Sequence, residues 1–286
     1  MADLKFNSSF NVTPPPSPTA VWADIIGKPA LRDTLSANRI YYVSPIGNDS
    51  NTGLTIDAPF LNIQKAIDTI CSIDTSVYQV TIQLANGTYN INSEISLGSY
   101  VGKLAPIIQG NLVVPSNVLI TRNTTGHVIV QNVVSSWIIQ GIKISNTGAG
   151  ASDGIRATAG SLSLSMIDFG PVTRFGMTVQ GSASVNMPST TINISGSMNM
   201  FLIVVSGYLN IASSTMNLTG TPAWGGSFVY ASMGGIVNCG GVTFNGLATG
   251  SKYTIMSNGV LSTGGASLTY FPGSIAGTAT TGGVYA

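Results

Sequence analysis

The sequence predicts an all-β chain wound as a right-handed single-stranded parallel β-helix, a solenoid of about 25 residues per coil with a short N-terminal capping helix. Three observations lead there. An apolar–polar–apolar triplet recurs along the chain, a second apolar register shares its period, and the composition favours turns and strand surfaces over helices. Of 286 residues, 34 are glycine and only 7% are charged, with a net charge of +1. A soluble domain ordinarily carries about 25% charged residues. The remaining polarity comes mostly from Ser, Thr and Asn, which suit turns and caps better than helix interiors. The longest unbroken apolar run is Met200–Val205, far short of the roughly 18 to 20 residues of a spanning helix, so no insertion of helices into a membrane is expected.

The triplets are Ile142-Lys143-Ile144, Ile167-Asp168-Phe169, Ile192-Asn193-Ile194, Met216-Asn217-Leu218, Val242-Thr243-Phe244 and Leu268-Thr269-Tyr270. Their first positions are 25, 25, 24, 26 and 26 residues apart. The second register, Leu162, Val185, Leu209, Val237 and Leu261, has spacings of 23, 24, 28 and 24. In a β-helix each strand pairs with its equivalent one coil away, about 4.8 Å along the axis. Alternation of period two then turns Ile142, Ile167, Ile192, Met216, Val242 and Leu268 inward. It turns Lys143, Asp168, Asn193, Asn217, Thr243 and Thr269 outward as a surface ladder. Right-handed winding is the rule for parallel crossovers.

Taken in order, residues 1–39 form an N-terminal tether, with the proline-rich stretch Asn11–Thr19 unable to join a sheet interior. Residues 40–100 open the solenoid: a strand at Ile40–Val43, a turn region at Ser44–Thr52, and an amphipathic helix. The helix is marked by Leu61, Ile63, Ala66, Ile67 and Ile70, and is followed by a strand alternating Val80, Ile82 and Leu84 and a turn at Asn86-Gly87. Residues 101–270 are the solenoid proper, and 271–286, poorer in apolar residues, close or fray its end. Counted from Ile40, roughly nine or ten coils are expected, a stack of about 45 Å.

The succession of strand, GNDSNTGL, APFLNIQKAID and VTIQLANGTY resembles the opening segment of pectate-lyase-like right-handed parallel β-helix proteins. Such segments occur in bacterial surface proteins and in phage tailspikes or tail fibres, where the helix caps the open N-terminal end. VWADIIGKPA is also similar to short segments in phage tail-fibre N-termini, and GTATTGGVY to their C-terminal ends. The resemblance implies a homotrimer. It further implies docking to other tail or baseplate proteins through residues 1–39, with Trp22, Asp24, Ile25 and Pro29 as docking residues.

Candidate chemistry is sparse. Cleavage of a polysaccharide needs a carboxylate pair, or a metal-bound carboxylate cluster with a base. The candidates are Asp153 and Arg156 in GASDGIRA, and Asp168 and Arg174 in SMIDFGPVTRFG; adjacent coils let all four share one face. The alternative is structural, with Lys143 and Asp168 in the same outward register as a surface ion pair. Glu94, the single glutamate, has no evident partner, and His127, the single histidine, excludes a His-pair metal site and most triads. GNDSNTG lacks the bidentate Glu and spacing of an EF-hand loop and reads as a turn. No metal or cofactor is expected. Cys71 and Cys239 are too far apart for metal-type spacing and read as buried thiols outside any disulfide.

For ligand binding, the longest coil in the second register places Trp224 on an extruded loop between glycines, with Tyr230 and Tyr253 about one coil apart on its flank. The 112 residues after Arg174 contain one charged residue, Lys252, so no basic surface exists there for nucleic acid. The segment MADLKFNSSF lacks the apolar core of a secretory signal. Together with the resemblance, this points to a protein made in a host cytoplasm and destined for a virion tail. The expected function is that of a tail fibre or tailspike binding a host surface glycan or receptor without cleavage. A polysaccharide depolymerase, hydrolase or lyase, is the first alternative, and a bacterial surface adhesin the second.

Overall fold

The structure, a computed structural model, describes residues 32–286. The chain divides at Arg32 into two units, and Asp33–Ala286 is the unit described below. Trp22, Asp24, Ile25 and Pro29 lie outside the described residues.

Residues 39–286 wind into a right-handed, all-β parallel solenoid with three walls and about eight complete turns. The first wall holds ten strands, from Arg39–Val43 and Val80–Leu84 to Val260–Ser262 and Val284–Tyr285. The second runs from Gly87–Asn90 and Val118–Arg122 to Thr191–Ile194, Thr215–Leu218 and Thr243–Asn245. The third holds eight strands, from Ile95–Ser96 to Thr278–Ala279. Two long strands, Ser136–Asn146 and Ser161–Val172, bend from the first wall into the second. The expected nine or ten coils match the strands of the first wall, but not the number of closed turns. After the strand Arg39–Val43 the chain spends residues 44–79 on a turn and a helix instead of on two further walls.

That helix, Ile63–Ser72, buries Ile63, Ala66, Ile67 and Ile70 over the first rungs, while Leu61 stays outside it and exposed. The turn before it is held by Asp49, whose Oδ1 accepts the backbone N–H groups of Leu61 and Asn62 at 2.9 Å each. A carboxylate at this position faces the positive end of the helix dipole. GNDSNTG is therefore a structural turn, tied through Asp49 to the start of the helix.

The second apolar register forms a continuous inward stack, and the first does so as far as Met216. Trp137, Leu162, Val185, Leu209, Val237, Leu261 and Tyr285 pair rung by rung on the first wall. Ile142, Ile167, Ile192 and Met216 do so on the second wall, completely buried. Each such side chain contributes about 1.5–3 kcal/mol relative to exposure. The next rung departs from the expected register. Met216 pairs with Phe244, not Val242, and Asn217 with Asn245, not Thr243, because this coil is two residues longer. Leu268 is 63% exposed and Thr269 also faces solvent, both outside any strand. The chain there has left the wall, and 271–286 instead add a last rung to the first and third walls.

Corners repeat as faithfully as strands. Where the third wall turns into the first, Ser206, Met233 and Ser257 adopt left-handed φ values of 58°, 51° and 50°. Such a residue reverses the chain within two or three positions, and short side chains tolerate it best. At Gly196 close approach excludes any side chain, because a Cβ would lie 2.2 Å from the Pro171 nitrogen of the preceding coil.

Candidate functional site

The predicted acidic residues fall into two separate environments. At the corner between the second and third walls, Asp153 is completely buried. Its Oδ1 accepts Arg174 Nε at 2.6 Å, and its Oδ2 accepts Arg174 Nη2 at 2.8 Å and Thr178 Oγ1 at 3.1 Å. His127 Nδ1 lies 3.3 Å from the same Oδ2. On the far side of the ring, Arg156 Nη1 is 3.1 Å from His127 Nε2. A guanidinium only donates, so Nε2 accepts there, while Nδ1 stands between the Asp153 carboxylate and the Asp153 backbone N–H, the latter 3.4 Å away. Burial holds the His127 pKa below its ordinary value, with the nearby Asp153 and Glu94 charges opposing that shift. The ring is therefore neutral at pH 7, with its lone pair occupied by Arg156. Arg156 also donates to Gln180 Oε1 at 3.2 Å, and Glu94 Oε1 accepts the His127 backbone N–H at 2.8 Å.

This arrangement corrects the sequence reading in several respects. Asp153 is bridged by Arg174 and not by Arg156, and Asp168 belongs to a different wall, so the four residues do not assemble on one face. Glu94 and His127, which lacked partners in the sequence, are both members of the corner network. In that cluster both carboxylates are engaged and the imidazole has no free lone pair. Its chemistry is that of a brace joining the coils at 94, 127, 153 and 174.

Asp168 stands on the second wall between Lys143 and Asn193, in the expected register. Its partner is Asn193, whose Nδ2 donates to Oδ1 at 2.6 Å; no ion pair within 4 Å joins it to Lys143 among the described residues. Burial raises the Asp168 pKa, against the hydrogen bond from Asn193 and the charge of Lys143. From this carboxylate a chain of amides runs outward along the axis. Asn217 Nδ2 donates to Asn193 Oδ1 at 2.8 Å, and Asn245 Nδ2 to Asn217 Oδ1 at 2.9 Å. Beside it runs a hydroxyl column, Thr191, Thr215 and Thr243, in register with the same strands. An asparagine in the middle of the ladder spends one N–H and one lone pair on its neighbours, leaving one of each for a ligand.

Asp168→Asn is expected to leave the fold intact and to match or exceed wild-type stability at pH 7. A raised folded-state pKa means that ionising Asp168 costs stability, a cost that grows as pH rises from the unfolded value of 3.8 through the raised folded value. Asparagine carries no such cost and keeps an acceptor for Asn193. Urea midpoints of the two proteins should converge below pH 3.8 and separate at neutral pH; a marked loss of stability in the variant at pH 7 would contradict this account.

The aromatic candidates are placed differently from the expectation. Two of the four surplus residues of the long coil form a bulge between Ala223 and Ser227, so Trp224 lies within the strand Ala223–Ser232 and is only 4% exposed. Its Nε1 donates to the Pro272 carbonyl at 3.2 Å, and its ring packs on Phe201 and Phe228. Tyr253 is buried against Phe271 and Tyr285, and Tyr230 is half-buried on the third wall. Trp224 and Tyr253 therefore offer no open ring face. Cys239 is buried and its thiol pushed up to about 12 by desolvation, whereas Cys71 is half-buried, not buried as expected; neither forms a disulfide.

A polar cleft of about 450 Å³ separates the helix from the corner at Asn90–Glu94. Its carboxylates Asp49, Asp68 and Glu94 are already hydrogen-bonded to Asn62, Gln64 and the His127 backbone. Among the described residues no group of three His, Cys, Asp or Glu side chains is placed to hold a metal ion, and no helix is long and apolar enough to cross a membrane. Fold and surface together define a parallel β-helix protein with a largely uncharged outer wall. No known family, curated protein sequence or solved structure matches the chain.

Proposed function

We propose that this chain is a glycan-binding structural component of a phage tail, a tail fibre or tailspike, that attaches to a host surface polysaccharide without cleaving it. One observation carries the reading. The outer second wall presents amides and hydroxyls in parallel columns at one-coil spacing, while the acidic residues around it are committed to internal bonds. Sugar hydroxyls need donors and acceptors at repeated intervals, and an uncharged wall supplies them at little desolvation cost. The same reading assigns residues 1–39 to docking on other tail or baseplate proteins, and three copies of the chain to one appendage. The support for these finer parts is the sequence resemblance alone.

The test is retention on immobilised bacterial surface polysaccharides, with a reducing-sugar assay on the same samples. Retention without oligosaccharide release is expected, weakened by Thr243→Arg at an exposed wall position. Release abolished by Asp153→Asn or Asp168→Asn would replace the binding reading with a depolymerase.

A further inference from the structure

At the C-terminal end of the wall just described, a second cleft of about 240 Å³ opens between the corners 246–248 and 269–273. It begins where the strand Thr243–Asn245 ends, so the amide and hydroxyl columns run up to its mouth. Phe244 and Tyr270, both half-buried, line it as an edge-to-face pair with centroids 5.2 Å apart. The Tyr270 hydroxyl shares its one proton between the carbonyls of Cys239 and Val242, at 2.9 and 2.8 Å, which fixes the ring before any ligand arrives. Leu247, 75% exposed, lines the cleft as well.

Lys252 reaches the same cleft. Its Nζ donates to the Gly273 carbonyl, which leaves two of three ammonium protons uncommitted. It is the single charged residue after Arg174, and no carboxylate pairs with it among the described residues. A partly buried ammonium with one neutral partner favours an anion beside it. Rigid ring faces next to a cation suit a sugar whose C–H face packs on the rings while a charged substituent meets the ammonium.

We infer that this cleft is a subsite for one carboxylated saccharide unit, a uronic or related sugar acid, with Lys252 taking the carboxylate and Phe244 and Tyr270 the ring. The inference rests on the glycan-binding reading and specifies which sugar class ends the bound chain. The probes are cellobiouronic acid, which carries the carboxylate, and cellobiose, its neutral counterpart, titrated against the full chain by saturation-transfer NMR. The acid is expected to bind roughly tenfold more tightly than cellobiose, a preference lost in Lys252→Met and kept in Lys252→Arg. Thr269→Tyr, at an exposed position on the cleft lining, should block both probes without touching the core. Equal binding of the two disaccharides, or unchanged selectivity in a folded Lys252→Met protein, overturns the subsite. If polysaccharide retention persists in that case, the subsite alone has failed; if wild type retains no polysaccharide, the glycan-binding reading has failed as well.

Discussion

Replacing Asp153 by alanine is expected to lower the unfolding free energy by about 3 kcal/mol, the lower end of the range for removing one partner of a buried ion pair. The loss has identifiable parts. Arg174 loses both of its hydrogen bonds to the carboxylate, Thr178 loses its acceptor, and His127 Nδ1 loses the carboxylate beside it. The cost sits at the lower end because the Arg174 side chain is 29% exposed and can turn toward water. Equilibrium urea denaturation at pH 7 measures it. Asp153→Asn should lie between wild type and alanine, since an amide oxygen can still accept from Thr178 or Arg174 without the charge. If both variants unfold at the wild-type midpoint, the corner network does not brace the coils. If instead they stay stable and lose an activity on polysaccharide, the residue belongs to catalysis.

Phe228→Ala should be costlier still, about 3–5 kcal/mol, as for other large aromatic truncations in a packed core. Phe228 is completely buried and touches Phe201, Trp224, Phe244 and Phe271, with centroids between 5.4 and 5.9 Å. These rings come from successive coils, so one truncation opens a void shared by several rungs that cannot collapse independently. Phe228→Leu keeps most of the volume and should cost less than half as much. Leu247→Ala, at an exposed position, should fall within about 0.5 kcal/mol of wild type. Thermal unfolding followed by tyrosine and tryptophan fluorescence would order the three; a Phe228→Ala protein as stable as Leu247→Ala would show that the aromatic stack contributes nothing to the fold.

The fold was legible because a solenoid writes its geometry into sequence period. Leu162, Val185, Leu209, Val237 and Leu261 could be aligned by counting, and the structure pairs them in that order. Counting failed where a coil changed length. The added residues near Trp224 were absorbed as a bulge within a strand, which kept the indole inside and shifted the next second-wall partner from Val242 to Phe244. Sequence spacing reports how many residues a coil has, but not whether a surplus goes outward as a loop or stays in the wall. The site was less legible for a related reason. Asp153, Arg174, Thr178 and His127 meet at a corner, where no alternation states which way a side chain turns. The Asn193–Asn217 step of the ladder lay on a wall and could be anticipated; the cleft at Lys252 lay between two corners and could not.

The two ends of the solenoid are not equivalent. The helix Ile63–Ser72 seals the first rungs, whereas among the described residues Thr243–Asn245, Thr278–Ala279 and Val284–Tyr285 each pair on one side only. Among the described residues the later rungs thus form a front paired on one side, and breathing motions should start there rather than at the sealed end. The proposed saccharide cleft sits at that front. A ligand bridging 246–248 and 269–273 would join the outermost loops where they are least supported, so occupancy and rigidity of this end would rise together.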